Sequence, residues 1–220
     1  MPRRAEAWPP PGRRCHAEGD GRGGTTDVER IAGLITGKLG SRVLYIGGIA
    51  VTCYAAYRRT HDIDLVVRER DLADLKKLPA SVGFAHSRSP HLEKHSFKSR
   101  DSGDVDAYTS RIGKLPVEEG LFKRSRHLPF GGVEVCVVSL EDLVMLKLSA
   151  ARETDLADVA VLFAERGEEI DASLLAERAG VSELRRRARE IVDLLPAEYG
   201  WQARGKLKRW LREKGWSGPK

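Results

Sequence analysis

Apolar positions in the first third of the chain follow, in turn, a helical and a strand-like spacing. Residues 28–39 place an apolar side chain at every third or fourth position, which predicts an amphipathic helix. A short β-rich run at 42–46 predicts a strand, and the apolar run at 49–57 predicts a helix. Residues 61–67 alternate polar and apolar side chains before becoming fully apolar, which predicts a second strand. The predicted order is therefore helix, strand, glycine turn, helix, strand.

The rest of the chain predicts further strands and then a series of helices. In chain order, we predict a charged helix at 68–78, a polar segment at 83–90, strands at 95–99 and 104–110 that could pair antiparallel, a loop at 113–129, a strand at 133–138, one long helical region at 139–167, helices at 170–180 and 182–195, and a short basic amphipathic helix at 201–216. Residues 1–25 are rich in Pro, Gly and Arg and lack apolar periodicity, which predicts a disordered arm. We therefore expect three parts: an arm at 1–25, a main domain at 26–167 and a helical appendage with a basic tail at 168–220.

The composition of the 220 residues, 41% hydrophobic and 32% charged, suits one compact domain with a small appendage. No apolar run approaches the roughly 20 residues that a membrane span needs, and the basic N-terminus lacks the apolar stretch of a signal peptide. We therefore expect a cytoplasmic protein with no membrane partner. Cys15, Cys53 and Cys136 lie far apart, which favours neither disulfides nor a thiolate zinc site. The formal charge of +6 could attract polyanions, although Arg-rich sequences also serve simply to solvate a surface.

Three aspartates are the candidate metal ligands. Asp62 and Asp64 are two positions apart on a predicted strand, so their side chains point to the same side. Carboxylates are suitable ligands for Mg²⁺ or Mn²⁺, which share oxygen ligands with substrate phosphates. Asp106 lies between apolar residues on a later predicted strand and could complete the site, but Asp104 is on the same strand face and could take its place.

A pair of glycines precedes these carboxylates in the chain. Gly47 and Gly48 separate a predicted strand from a predicted helix, where backbone N–H groups can bind a phosphate. An ordinary tight turn is the alternative for such a pair. The DID strand that follows favours phosphate binding.

The ordered combination of these features resembles the signature of the minimal, polymerase β-like nucleotidyltransferase superfamily. The features are Gly47 and Gly48, an apolar helix, the RxTxDID segment with Arg58, Thr60, Asp62 and Asp64, and the apolar-flanked Asp106. Residues 140–159 are similar to a segment of AbiEii-like and MenT-type toxin nucleotidyltransferases and supply Lys147, Arg152, Asp155 and Asp158. The resemblance covers roughly residues 28–165.

The resemblance implies an α+β (α/β) fold, with a mixed sheet flanked by helices, that transfers a nucleoside monophosphate from a nucleoside triphosphate and releases pyrophosphate. It implies that Asp62 and Asp64 bind Mg²⁺ or Mn²⁺ and that Asp106 completes the site. In many relatives a serine at this position offers its hydroxyl to the phosphate. Because this chain has Gly48 there, the contact would be made by the backbone alone. Lys147 would neutralise phosphate charge, and Arg152, Asp155 and Asp158 would shape the nucleotide end of the pocket. Thr60 would contact the nucleotide or its phosphates, and Arg58 would pair with a carboxylate or reach a phosphate.

Three functions fit this sequence. The first is a toxin that modifies an RNA end, plausibly of tRNA, and is restrained by an antitoxin protein. The second keeps the chemistry but transfers to a small molecule such as an antibiotic. The third is a binding or antitoxin-like protein that retains the fold without catalysis, against which the intact set of carboxylates argues. Lys147 in its apolar helix could also be a lysine that reaches solvent, and Arg152 with Asp155 or Asp158 could be a structural ion pair.

Overall fold

The computed structural model describes residues 26–55, 60–78, 84–89, 93–98 and 103–216. The predicted arm at 1–25 and Arg58 lie outside these residues. The helices are α1 (Asp27–Leu39), α2 (Gly47–Ala55), α3 (Leu72–Lys77), α4 (Glu119–Lys123), α5 (Leu140–Ala150), α6 (Glu153–Arg166), α7 (Ala172–Ala179), α8 (Val181–Asp193) and α9 (Gly200–Glu213). The strands are β1 (Val43–Ile46), β2 (Ile63–Val67), β3 (Ala85–Ser89), β4 (Lys94–Lys98), β5 (Val105–Tyr108), β6 (Arg111–Ile112), β7 (Leu115–Pro116), β8 (Arg126–Phe130) and β9 (Val133–Val137).

A seven-stranded mixed sheet with the strand order β3-β4-β5-β2-β1-β9-β8 organises the protein. The strand pairs β2 with β5 and β1 with β9 are parallel, and the other neighbours in this sheet are antiparallel. Helix α1 packs on β9 and α3, while α2 packs on β2, β8, α5 and α6. The expected mixed sheet flanked by helices is confirmed. The predicted antiparallel pairing of the two strands now labelled β4 and β5 is also confirmed.

The central strands β1 and β2 form the middle of the hydrophobic core. All four residues of β1 are buried, and Asp64 is the only residue of β2 that is not fully buried. The buried Tyr45 side chain ties β1 to α1, because its hydroxyl donates to the carbonyl of Ala32 at 2.8 Å and lies 2.9 Å from the Thr36 hydroxyl. A polar residue in such a strand is an exception that the fold must accommodate.

The polar segment predicted at 83–90 contains a strand instead. Strand β3 pairs along its whole length with β4, although four of its five residues are exposed. It lies at the edge of the sheet, where its backbone pairs with β4 and the His86 ring contacts His95 and Phe97, so no apolar alternation is required. The loop predicted at 113–129 likewise contains the β7 strand, α4 and the start of β8.

The region predicted at 139–167 is helical, but it consists of two helices, because the chain turns between α5 and α6. Ala151 adopts a left-handed conformation with φ 51° and Arg152 is extended. The turn folds α6 back so that the Nζ atom of Lys147 lies 2.8 Å from Asp155 and 2.7 Å from Asp158. All three side chains are almost fully buried. The turn thus brings opposite charges of the two helices together in a buried ion cluster, which the apolar spacing of the sequence does not record.

The C-terminal helices share the core of the sheet. Leu175, Leu184, Ile191 and Leu207 belong to the same buried cluster as β1 and β2. Their predicted helical character is confirmed, whereas the boundary between 26–167 and 168–220 stays a prediction. In the part of the chain that the structure describes, no helix combines the length and the apolar character needed to cross a membrane. The cytoplasmic location also stays a prediction.

Replacing Lys147 with Met would test the buried ion cluster. The change leaves the buried Asp155 and Asp158 carboxylates without the Lys147 charge, and we expect the free energy of unfolding to fall by about 3–5 kcal/mol. Urea denaturation of the purified variant would measure it. Lys77→Met is the matched control, because Lys77 pairs with Asp74 at the surface and its loss should change stability little. Equal losses in the two variants would contradict a structural role for the Lys147 cluster.

Candidate functional site

Two strands that run side by side bring the candidate carboxylates together. Strands β2 and β5 pair in parallel, with Asp64 directly opposite Asp106. Paired residues of neighbouring strands point to the same face of a sheet, so the two carboxylates share one face. Asp62 precedes β2 and is exposed, and the backbone N–H of Ile63 donates to the carbonyl of Asp104 at 2.8 Å. The register thus makes Asp106, and not Asp104, the partner of Asp64.

The Asp64 carboxyl lies in an unusual electrostatic environment. Burial, together with the negative charges of Asp106 and Asp62, raises its pKa to about 6 from an ordinary value of 3.8. The positive charges of Lys147 and Lys94 oppose that rise. Negative charge is therefore concentrated where solvent screens it poorly, and a cation bound there would relieve the repulsion.

Asp106 is held by two residues that sequence reasoning missed. The Nζ atom of Lys94 lies 2.5 Å from one carboxylate oxygen, and the Ser96 hydroxyl donates to the other at 2.6 Å. Both residues belong to β4, in which Ser96 is directly opposite Asp106. Asp104 has a separate partner in Lys98 on the same strand. Lys94 precedes the strand predicted at 95–99 by one residue, and the alternation of Lys94, Ser96 and Lys98 is the signal that could have found the group.

Gly47 and Gly48 are the first residues of helix α2, rather than a turn in front of it. Gly47 has φ +58°, and a Cβ atom on it would overlap the carboxylate of Asp64. A Cβ atom on Gly48 would overlap the side-chain hydroxyl of Thr60. Only glycines allow the start of α2 to lie this close to the DID segment. The first N–H groups of a helix have no partners inside the helix, so this arrangement brings hydrogen-bond donors next to the carboxylates.

Thr60 shapes the entrance to β2. Its hydroxyl donates to the backbone carbonyl of Asp62 at 3.1 Å, and it lies against Gly48. Thr60 therefore supports the carboxylate segment from the side of the helix. Its predicted contact with a phosphate stays a prediction.

The cluster predicted from residues 140–159 lies near enough to influence Asp64 electrostatically. Lys147 pairs with Asp155 and Asp158, and Arg152 donates to Asp155 at 2.6 Å. Burial opposes ionisation of Asp155, but hydrogen bonds from Arg152 and Lys147 outweigh it and lower the pKa of Asp155. The Arg152 side chain is 74% exposed, so its guanidinium remains accessible from solvent. Ion pairs therefore join four residues of the segment into one network, namely Lys147, Arg152, Asp155 and Asp158.

The donor chemistry of the site suits a divalent cation. Among the residues that the structure describes, no group of three or more His, Cys, Asp or Glu side chains is already arranged around one point as metal ligands. Lys94 and Ser96 hold the Asp106 carboxylate instead. Asp62 and Asp64, with Asp106 once it is released, are the carboxylates that could hold Mg²⁺ or Mn²⁺.

Several solved structures share this fold. A nucleotidyltransferase from H. pylori is matched with a TM-score of 0.53 and 12% identity, covering 86% of this chain and 92% of the other. The nucleotidyltransferase toxin MenT4 from Mycobacterium tuberculosis is matched with a TM-score of 0.51 and 17% identity, covering 86% and 80%. The antibiotic-resistance factor ANT(2'')-Ia is matched with a TM-score of 0.52 and 14% identity, covering 73% and 95%. At these identities the likeness establishes the fold alone.

The sequence comparisons establish the family. Comparison with curated proteins gave no match. A family model described as a nucleotidyltransferase of unknown function (DUF6036) matches residues 27–195, which include every described candidate site residue. The expected kinship with the nucleotidyltransferase superfamily is thereby confirmed, and the chain belongs to this nucleotidyltransferase family.

Proposed function

We propose that this enzyme transfers a nucleoside monophosphate from a nucleoside triphosphate to an acceptor hydroxyl and releases pyrophosphate, with Asp62, Asp64 and Asp106 as its metal ligands. The observation that carries the proposal is the position of Asp64, which lies opposite Asp106 and against the first residue of α2. In such an arrangement the carboxylates can bind the metal ion, and the N–H groups at the helix N-terminus can bind the phosphates of the triphosphate.

The carboxylates fit a divalent cation, because the like charges of Asp62 and Asp106 contribute to the raised pKa of Asp64. When bound, Mg²⁺ or Mn²⁺ supplies positive charge that neutralises the oxygens of the triphosphate. The backbone N–H groups at Gly47 and Gly48 bind phosphate in this proposal, since neither residue offers a side chain. Asp106 completes the metal site and helps to activate the acceptor hydroxyl as a proton acceptor.

The second cluster serves the nucleotide end of the same pocket in this proposal. Lys147 contributes positive charge towards Asp64 and is held in place by Asp155 and Asp158. Arg152 presents an exposed guanidinium anchored to Asp155, which suits contact with a phosphate or the base. Asp155 and Asp158 then act as positioning residues rather than as direct ligands.

For the acceptor we favour an RNA end, plausibly of tRNA, with an antitoxin protein as the restraining partner. The fold likeness to the MenT4 toxin and the formal charge of +6 support this choice. The likeness to ANT(2'')-Ia supports an antibiotic or another small molecule as the second candidate. A host that expresses the protein would become drug-resistant in the second case and growth-impaired in the first.

The first test is nucleotide transfer by the Asp62→Asn/Asp64→Asn double variant. We expect wild type, given each labelled nucleoside triphosphate, Mg²⁺ or Mn²⁺ and total bacterial RNA, to label RNA and release pyrophosphate. The double variant should lose at least about 100-fold in rate, because the charges that hold the metal are gone. Asp27→Asn/Asp193→Asn, which removes two exposed carboxylates elsewhere, is the matched control.

The products separate the candidate functions. Labelled RNA that depends on Asp62 and Asp64 supports the RNA acceptor. Pyrophosphate release without labelled RNA moves the acceptor to a small molecule or a protein. Absence of turnover with every nucleotide, in folded wild type, would contradict the enzyme and favour a binding protein that keeps the fold.

A second test uses Lys94→Met to ask whether Asp106 is a metal ligand. The Lys94 ammonium competes with any other cation for the Asp106 carboxylate, so its removal should lower the Mn²⁺ concentration at half-saturation by about tenfold. Thermal unfolding at increasing Mn²⁺ concentrations, without nucleotide, would measure it. Lys98→Met is the control, because Lys98 lies on the same strand as Lys94 and pairs with Asp104, the residue before β5. An unchanged Mn²⁺ midpoint in Lys94→Met would remove Asp106 from the ligand set, and a shift in Lys98→Met alone would point to Asp104.

A further inference from the structure

The outward face of α9 carries an exposed tryptophan and a row of cations. Trp201, Lys208 and Arg212 are separated by seven and four positions, so they lie along one side of the helix. Arg209 lies beside this row and Lys214 follows the end of the helix. All five side chains are exposed. We call this set the α9 surface.

The segment that includes the α9 surface carries most of the excess positive charge of the chain. Residues 200–216 contain six Lys and Arg residues and one acidic residue, Glu213, while the whole chain has a formal charge of +6. Like charges four positions apart, such as Lys208 and Arg212, repel each other and destabilise a helix by a few tenths of a kcal/mol. The helix therefore carries a charge pattern that does not favour its own folding, and a bound polyanion would relieve the repulsion.

These cations differ from most of the other arginines in the described chain, which form ion pairs. On the neighbouring helix α8, Arg186 and Arg187 pair with Glu183 at the helix surface. Similar ion pairs involve arginines near the sheet and in the other helices, namely Arg30, Arg42, Arg68, Arg124, Arg152, Arg166 and Arg178. Within the described part of the chain, Lys208, Arg209, Arg212 and Lys214 make no ion pair. Their charges are therefore available to a ligand.

The opposite face fixes the helix rigidly to the domain. Leu207 and Leu211 are buried, and the Trp210 ring lies 4.8 Å from that of Phe163 and 5.4 Å from that of Trp216, between ring centroids. Packing against the protein thus accounts for two of the three tryptophans near this end. Trp201 is 81% exposed, against 45% for Leu34, the next most exposed large apolar side chain among the described residues. Packing within the described chain therefore does not explain why a tryptophan occupies position 201.

We propose that the α9 surface binds single-stranded RNA, with Trp201 stacking on an unpaired base and the cations contacting the backbone phosphates. This combination of an aromatic side chain and a basic helix face is suited to single strands, whose bases are free to stack. The inference rests on the proposed function, for which it supplies the place where the RNA acceptor is held. The family match ends at residue 195, so the α9 surface lies outside the shared region and would serve the choice of acceptor rather than the common chemistry.

Two other partners fit the surface less well. A basic amphipathic helix that binds a membrane inserts its apolar face, but the apolar face of α9 is buried against the protein. The core of a protein interface is depleted of charge and contains several apolar side chains, whereas Trp201 is the single apolar member of the α9 surface. Charge and aromaticity together therefore favour RNA.

The test is fluorescence anisotropy with a labelled single-stranded RNA of mixed sequence, at several salt concentrations and without nucleotide or divalent ion. We expect Trp201→Ala to weaken binding by about tenfold, through loss of base stacking. We expect Lys208→Gln/Arg212→Gln to weaken binding similarly. The slope of the logarithm of the binding constant against the logarithm of the salt concentration should become shallower by about 1.4, which is about 0.7 for each lost phosphate contact on a single strand. Arg186→Gln/Arg189→Gln is the control with equal charge removal, because these arginines on α8 lie near Glu183 and Asp193.

Selective losses in the two α9 variants, with circular dichroism unchanged, would support the proposal. Equal losses in the α8 control would overturn it, because they would indicate attraction by overall charge. Equal affinity for a duplex of the same sequence, or tighter binding to vesicles of phosphatidylcholine and phosphatidylserine than to RNA, would also overturn it. We expect Asp62→Asn/Asp64→Asn to bind RNA like wild type, so that binding and catalysis are measured separately. RNA binding by wild type without nucleotide transfer would contradict the proposed function alone. Nucleotide transfer without RNA binding at the α9 surface would contradict this inference alone.

Discussion

Two carboxylates that repel each other, those of Asp64 and Asp106, are held side by side by the parallel pairing of β2 and β5. The backbone hydrogen bonds of the sheet and the burial of β1 and β2 hold these positions against the repulsion. Burial, together with this repulsion, raises the pKa of Asp64. A slip of one residue in this register would turn Asp64 into the core and destroy the site. The candidate chemistry therefore depends on sheet pairing more than on any single side chain.

Two lysines offset the resulting negative charge in different ways. Lys94 contacts Asp106 directly from the adjacent strand β4. Lys147 acts on Asp64 from a distance and is itself fixed by Asp155 and Asp158 at the turn between α5 and α6. The contact of Lys94 with Asp106 is partly buried and the Lys147 cluster is almost fully buried, so the cluster is the more costly of the two to open. The site thus combines one lysine in a direct, partly buried contact with one in a buried ion cluster.

The helices outside the sheet connect this site to the rest of the molecule. Helix α2 starts against Asp64 and also packs on α5 and α6, so the glycines and the buried ion cluster belong to one packed group of elements. Helix α6 in turn contacts α9 through Phe163 and Trp210. A ligand on the outer face of α9 would therefore be held on a helix that packs against the domain.

The sequence by itself determined the secondary structure of the centre and the chemistry of the candidate ligands. Apolar alternation and the DID spacing predicted β2 with two carboxylates on one side, and the glycines predicted a phosphate-binding position, because these signals are local. Tertiary structure alone decided that Asp106 is the partner of Asp64, that Lys94 and Ser96 hold it, and that α5 and α6 are separate helices. Strand register, edge pairing and buried ion pairs join residues that are distant along the chain, and local periodicity carries no information about which of them meet.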